Sequence, residues 1–293
     1  MAFREPADGA LRKSRLLPAL MLAAALTAPT GGVQAQDRRA VSVPVAEPTY
    51  ADIADLAEAA DIVALVEVRN QTLIKPERAP GLTPGHARLL IKARTLALIA
   101  GRSAVGESLV YLADVPLLAN GKVPKLKKQR FMVFADPVAG RPGELSLVGP
   151  AAQVPATPGS ELLARTVIAA LAAPDAPPKI GGVREAMSVA GNLAGESETQ
   201  VFLDTVTGAP VSLSVVRRPG MQPQWGVSWS EIVDQSARPP APETVEWYRL
   251  ACFLPRQLPG NALIQQDRGS RAQAEADYGY IIQQLGECTR TLG

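Results

Sequence analysis

The stretch Arg88–Leu98, RLLIKARTLAL, decides how the first half of the chain is read. Leu89, Ile91 and Ala93 alternate with Leu90, Lys92 and Arg94, the period of two shown by a strand with one buried face and one wet face. Four further runs of strand length surround it, at Ile62–Val68, Ser108–Val115, Phe131–Ala135 and Glu144–Val148. A helix precedes the set in Thr49–Ala60 (TYADIADLAEAA): Thr49 stands as an N-cap with Asp52 three residues on, and Ile53, Leu56, Ala57 and Ala60 share one face. A second helix, Ser160–Ala172, follows with Leu163, Val167, Ala170 and Leu171 at helical spacing. Five short antiparallel strands bury their edges by curling into a small barrel, and the OB type is the common solution at this size.

Beyond Pro174–Pro178 (PDAPP) the chain reads as a four-stranded antiparallel meander, Arg184–Val189, Thr199–Thr205, Val211–Val216 and Gln224–Ser230. Val211, Leu213 and Val215 alternate with Ser212 and Ser214, and Pro219-Gly220 suits the centre of a type II turn. A helix over Glu243–Leu254 suits the dry face. A last helix carries Ala274, Tyr278, Ile281, Leu285, Cys288 and Leu292 at three- and four-residue steps. The expected fold is therefore α+β: an OB-like barrel module over 49–173, an antiparallel sheet with a covering helix over 179–259, and a helical tail over 260–293. Residues 36–48 read as an extended lead-in.

The runs ADIVALVEV (Ala60–Val68), LALIAG (Leu96–Gly101), GESLVYL (Gly106–Leu112) and RFMVFAD (Arg130–Asp136) resemble the OB-like barrels of the netrin and tissue-inhibitor class. The likeness covers residues 50–150 and implies a barrel. That class uses a cysteine near its mature N-terminus, and this module has none, so its protease-inhibiting mechanism is not implied. The chain as a whole is similar to secreted proteins of bacteria with alanine- and proline-rich proteomes, a likeness that carries no mechanism.

Residues 1–35 read as an export signal: Arg4, Arg12, Lys13 and Arg15 precede the apolar run Leu16–Leu26, and Val33-Gln34-Ala35 offers a cleavage site. The apolar run is too short to span a bilayer and no cysteine follows it for lipid attachment, so the expected location is the periplasm or the medium, with no membrane span after signal removal. Of 30 Lys and Arg and 28 Asp and Glu, the signal holds four and two, so the remainder carries 26 of each. A neutral chain is a poor candidate for nucleic-acid binding. The basic run Lys122–Arg130 (KVPKLKKQR) reads as a solvated loop between strands rather than a polyanion site.

The stretch Trp225–Glu231, WGVSWSE, falls one glycine short of a nucleophile elbow. The elbow requires a serine at a sharp strand-to-helix turn, and Ser228 instead lies inside an alternating strand, facing away from Trp225 and Trp229. The one histidine, His86, lies upstream in a Gly/Pro loop and reads as solvent-facing; a single histidine and two distant cysteines build no zinc site. No catalytic residue, cofactor or metal is expected.

The remaining candidates are an acidic or anion site. Glu196 and Glu198 flank a strand start, Glu231 and Asp234 follow the last strand, and Arg217-Arg218 precede a turn that faces the acids of the neighbouring loop. The arginines read more simply as a cross-strand ion pair at the sheet end. Cys252 and Cys288, on the apolar faces of the last two helices, are expected to form a disulfide in an oxidising compartment. The expected function is non-catalytic: a binding or envelope-assembly module whose partner is an envelope protein or glycan. The alternative is a carboxylate-dependent hydrolase of envelope glycans.

Overall fold

Thr49 begins helix α1 (Tyr50–Ala59): its hydroxyl accepts from the Asp52 N–H at 3.1 Å, and the Asp52 carboxylate accepts from the Thr49 N–H at 2.9 Å. This reciprocal cap satisfies two helix-end donors at once. The computed structural model describes residues 47–230 and 237–292, within a unit running from Val43 to Gly293. The export signal at 1–35, most of the lead-in, and Glu231 and Asp234 lie outside the described residues.

Five strands close into a barrel: β1 (Ile62–Leu73), β2 (His86–Gly101), β3 (Ser108–Pro116), β4 (Arg130–Pro137) and β5 (Glu144–Leu147), in the cyclic order β1-β2-β3-β5-β4. All neighbours are antiparallel except β3 and β5, which pair in parallel at Val110–Glu144 and Tyr111–Leu145. A short β6 (Gln153–Pro155) adds to β4 and leads into α2 (Pro158–Leu171), capped by Thr157. The barrel is filled by residues such as Ile62, Val66, Leu89, Ile91, Leu109, Tyr111 and Val133. On β2 and β3 the outer face is wetter, which produces the alternation in RLLIKARTLAL. On β1 and β4 the outward residues Val63, Leu65, Met132 and Phe134 are also buried, beneath the helices, so these strands read as nearly continuous apolar runs.

The second sheet is β7 (Ile180–Ala190), β8 (Ser197–Thr205), β9 (Val211–Arg217) and β10 (Gln224–Ser228), antiparallel throughout and ordered β10-β9-β8-β7. Its edge strand β7 is covered by residues 263–265: the Gln265 side chain accepts from the Ser188 N–H at 2.7 Å and donates to the Ser188 carbonyl at 2.6 Å. A side-chain amide thus stands where another strand would pair. The dry face, with Val201, Leu203, Leu213 and Val215, is covered by α4 (Arg268–Leu285), while α3 (Val245–Ala251) packs against α1, α2 and α4. One buried cluster therefore runs from the outer faces of β1 and β4 through the four helices to the second sheet. No helix among the described residues is long and apolar enough to cross a membrane.

Helix α1 joins these parts through acids spaced three apart. Glu58 meets Arg249 of α3 at 2.7 Å and Lys179 at 3.2 Å, and Asp55 accepts from the Tyr248 hydroxyl at 2.7 Å and from Arg290 at 2.5 Å. Asp52 accepts from the Thr291 N–H and hydroxyl and from the Leu292 N–H, so the cap of the first helix also clasps the end of the chain. Burial raises the Asp52 carboxyl, but backbone N–H donors of Thr49 and Thr291 and both threonine hydroxyls outweigh it and hold the group below its ordinary value.

Candidate functional site

The loop between β7 and β8 is closed by the Gly191 N–H donating to the Glu196 carbonyl at 2.8 Å. The Glu196 carboxylate folds back over the loop and accepts from the Asn192 and Leu193 N–H groups at 3.0 and 3.2 Å. A Cβ on residue 191 would stand 2.4 Å from the Glu196 side chain, so this conformation depends on glycine. Two residues on, Glu198 accepts from the Gln200 side chain at 2.7 Å. At the same end of the sheet the β9–β10 turn places Gly220 at φ +71°, with the Met221 N–H donating to the Arg218 carbonyl at 3.1 Å. Proline followed by a left-handed glycine is the type II arrangement that Pro219-Gly220 suggests.

These two loops and the strands between them frame a cleft of about 410 Å³ on the face of the sheet turned away from α4. Glu196, Glu198, Ser214, Arg218 and Gln224 supply its polar lining, with Val189 and Val216 beside them. One side is closed by residues 237–238, which lie against Gly226: a Cβ there would fall 2.2 Å from the Ala237 carbonyl carbon and oxygen. The Val227 N–H donates to the Arg238 carbonyl at 3.4 Å, which ties this segment to β10.

Of the four residues expected to form an acidic or anion site, Glu196, Glu198 and Arg218 line this one cleft. Arg217 does not, and its partner is neither of the loop acids. Successive strand residues face opposite sides of a sheet, and Arg217 turns toward α4, where its Nε donates to Asp277 at 2.5 Å. Asp277 is wholly buried and also accepts from the Thr199 hydroxyl and from Gln273 at 3.1 Å, while the Ser188 and Thr199 hydroxyls lie 2.9 Å apart. A signal for this cluster was present in the sequence: position 277 falls on the face of the last helix that carries Ala274, Tyr278 and Ile281, and an acid there needs buried donors. Ser214 and Gln224 were likewise recoverable, since they share the polar side of the alternation in β9 and β10.

Ser228 is the last residue of β10, extended and paired opposite Ser212 in the β9 register, and is 7% exposed. His86 begins β2, its Nδ1 3.3 Å from the Pro84 carbonyl, in the barrel and away from the cleft. Cys252 and Cys288 are joined in a disulfide and both are half-buried. Cys288 is not helical, because α4 stops at Leu285, where Gly286 takes a φ of +73°. The bridge thus holds the segment after α4 against the end of α3. Among the described residues no group of three His, Cys, Asp or Glu converges as a metal site requires. In comparisons with known proteins, no family model and no curated protein matched the chain.

Proposed function

We propose that the protein is an exported, non-catalytic binding module of the cell envelope, and that an envelope protein or glycan is its partner, held in the cleft on the open face of the second sheet. The observation that carries this reading is that the cleft's acids are fixed by their own neighbours: Glu196 by two backbone N–H groups, Glu198 by Gln200. Groups held in place beforehand lose little freedom on binding. Exposed Val189, Leu193 and Met221 lie on the strand and loops around the cleft and add apolar contact area. Export is supported by the Cys252–Cys288 disulfide, a bond that persists in oxidising compartments.

A photo-crosslinking side chain at Gln224, in intact cells, tests this reading. The expected product is one discrete adduct, absent when the same group replaces Arg165 on the exposed side of α2; identical patterns from both positions would contradict it. The hydrolase reading draws on one fact, that Glu196 and Glu198 line the same cleft. If purified protein releases fragments from cell-wall material and Glu198→Gln abolishes the release, the hydrolase replaces the binding module.

A further inference from the structure

Two loops, residues 74–85 and 117–129, meet at the end of the barrel where β1 finishes and β2 begins, and the Leu117 N–H donates to the Gly85 carbonyl between them at 2.8 Å. They carry six exposed cations, Lys75, Arg78, Lys122, Lys125, Lys127 and Lys128, against the single acid Glu77. Among the described residues none of the six forms an ion pair. In a chain with 30 Lys and Arg against 28 Asp and Glu overall, this concentrates positive potential at one end of one module.

The lysine loop is ordered by its backbone, which leaves its side chains free. Leu126 is buried, plugging the barrel end, and the Gln71 side chain accepts from the Leu126 N–H at 2.6 Å and donates to the Pro124 carbonyl at 2.8 Å. Residues 126–129 turn sharply, with the Gln129 N–H donating to the Leu126 carbonyl at 2.8 Å and Lys128 at φ +70°. Glycine or asparagine favours that position, because a side chain there crowds its own backbone. Lys128 is instead held there without an ionic partner, at the tip of the turn beside Lys127. Two leucines at the same barrel end are also open to solvent: Leu73 at 54% and Leu118 at 41%.

We propose that this end of the barrel docks on an anionic phospholipid surface, the lysines and Arg78 meeting headgroup phosphates while Leu73 and Leu118 enter the interfacial layer. Cations alone would suit any polyanion. The exposed leucines select a bilayer, since a soluble polyanion gives them nothing to be buried in, whereas the headgroup–acyl boundary does. This inference is independent of the cleft and of what fills it.

The test uses residues 36–293, which contain every residue of both buried clusters, in sedimentation with phosphatidylglycerol–phosphatidylcholine vesicles at low salt. Binding to these vesicles, not to phosphatidylcholine alone, is expected, and it should weaken as salt rises. Each lysine removed should lower partition about fivefold, so Lys125→Gln/Lys127→Gln/Lys128→Gly lowers it about a hundredfold. Lys128→Gly alone should bind about fivefold less tightly while unfolding at the same temperature or higher, which separates docking from folding. Leu73→Ser/Leu118→Ser should weaken vesicle binding and leave retention on heparin unchanged. Absence of vesicle binding at low salt, or binding indifferent to the lysine substitutions, overturns the proposal. Vesicle binding indifferent to the leucine substitutions also overturns it, by making the patch a polyanion site.

Discussion

Replacing Asp277 with alanine should cost about 3 kcal/mol of folding stability. Removing one partner of a buried ion pair costs about 3–5 kcal/mol when the other is left buried. Arg217 keeps 30% of its side chain exposed and regains some hydration, which places the cost at the low end. Thr199, wholly buried, loses this acceptor as well but keeps the Ser188 hydroxyl at 2.9 Å as an alternative, so its hydroxyl is not stranded and adds little to the cost. Arg217→Ala should also destabilise, because it strands the Asp277 carboxylate among only Thr199 and Gln273. The double variant should be less damaged than the sum of the two, with a coupling of about 1 kcal/mol or more. Urea unfolding read at constant m provides the assay. A loss under about 0.5 kcal/mol in Asp277→Ala, or strict additivity, would refute the view that this cluster fastens α4 to the second sheet.

Cys252→Ala/Cys288→Ala should lower stability by up to about 4 kcal/mol, the chain-entropy figure for a bridge closing a separation of 36 residues; unfolding with and without reductant checks it, and mass spectrometry of the untreated protein should show no alkylatable thiol. Gly226→Ala forces backbone at Ala237 to move, since a Cβ would meet it at 2.2 Å, and should destabilise by about 1–3 kcal/mol as overpacking does; an unchanged denaturation midpoint would mean residues 237–238 do not lie on β10. Asp52 is held below its ordinary value in the folded chain, so the unfolded chain takes up its proton at higher pH. Its contribution is therefore complete above the unfolded value of about 3.9 and is lost as pH falls through the folded value; Asp52→Asn should flatten that acid limb of the stability curve.

The barrel and the meander were legible because burial of one strand face writes a period of two into residues such as Leu89, Ile91 and Ala93 or Val211, Leu213 and Val215. Helix starts were legible at Thr49, where both halves of the cap are local. Strand β6 was not: three residues in a proline-rich stretch hold no period, and only β4 makes them a strand. Nor was the clasp of Asp52 on Thr291, since partners 239 residues apart leave no local mark. The cleft was half legible. Glu196, Glu198 and Arg218 stood out as charges beside turns, but the parity that sends Arg217 to the opposite face depends on where β9 ends, and its partner on how α4 docks.

The claim that the open face of the second sheet is the working face is tested most directly by nuclear magnetic resonance of isotopically labelled protein titrated with fractionated envelope extract. Shift changes concentrated at Glu196, Glu198, Ser214, Arg218 and Gln224, and abolished by Arg218→Ala, are the predicted result. Changes spread over other surfaces with these five residues unmoved would contradict it.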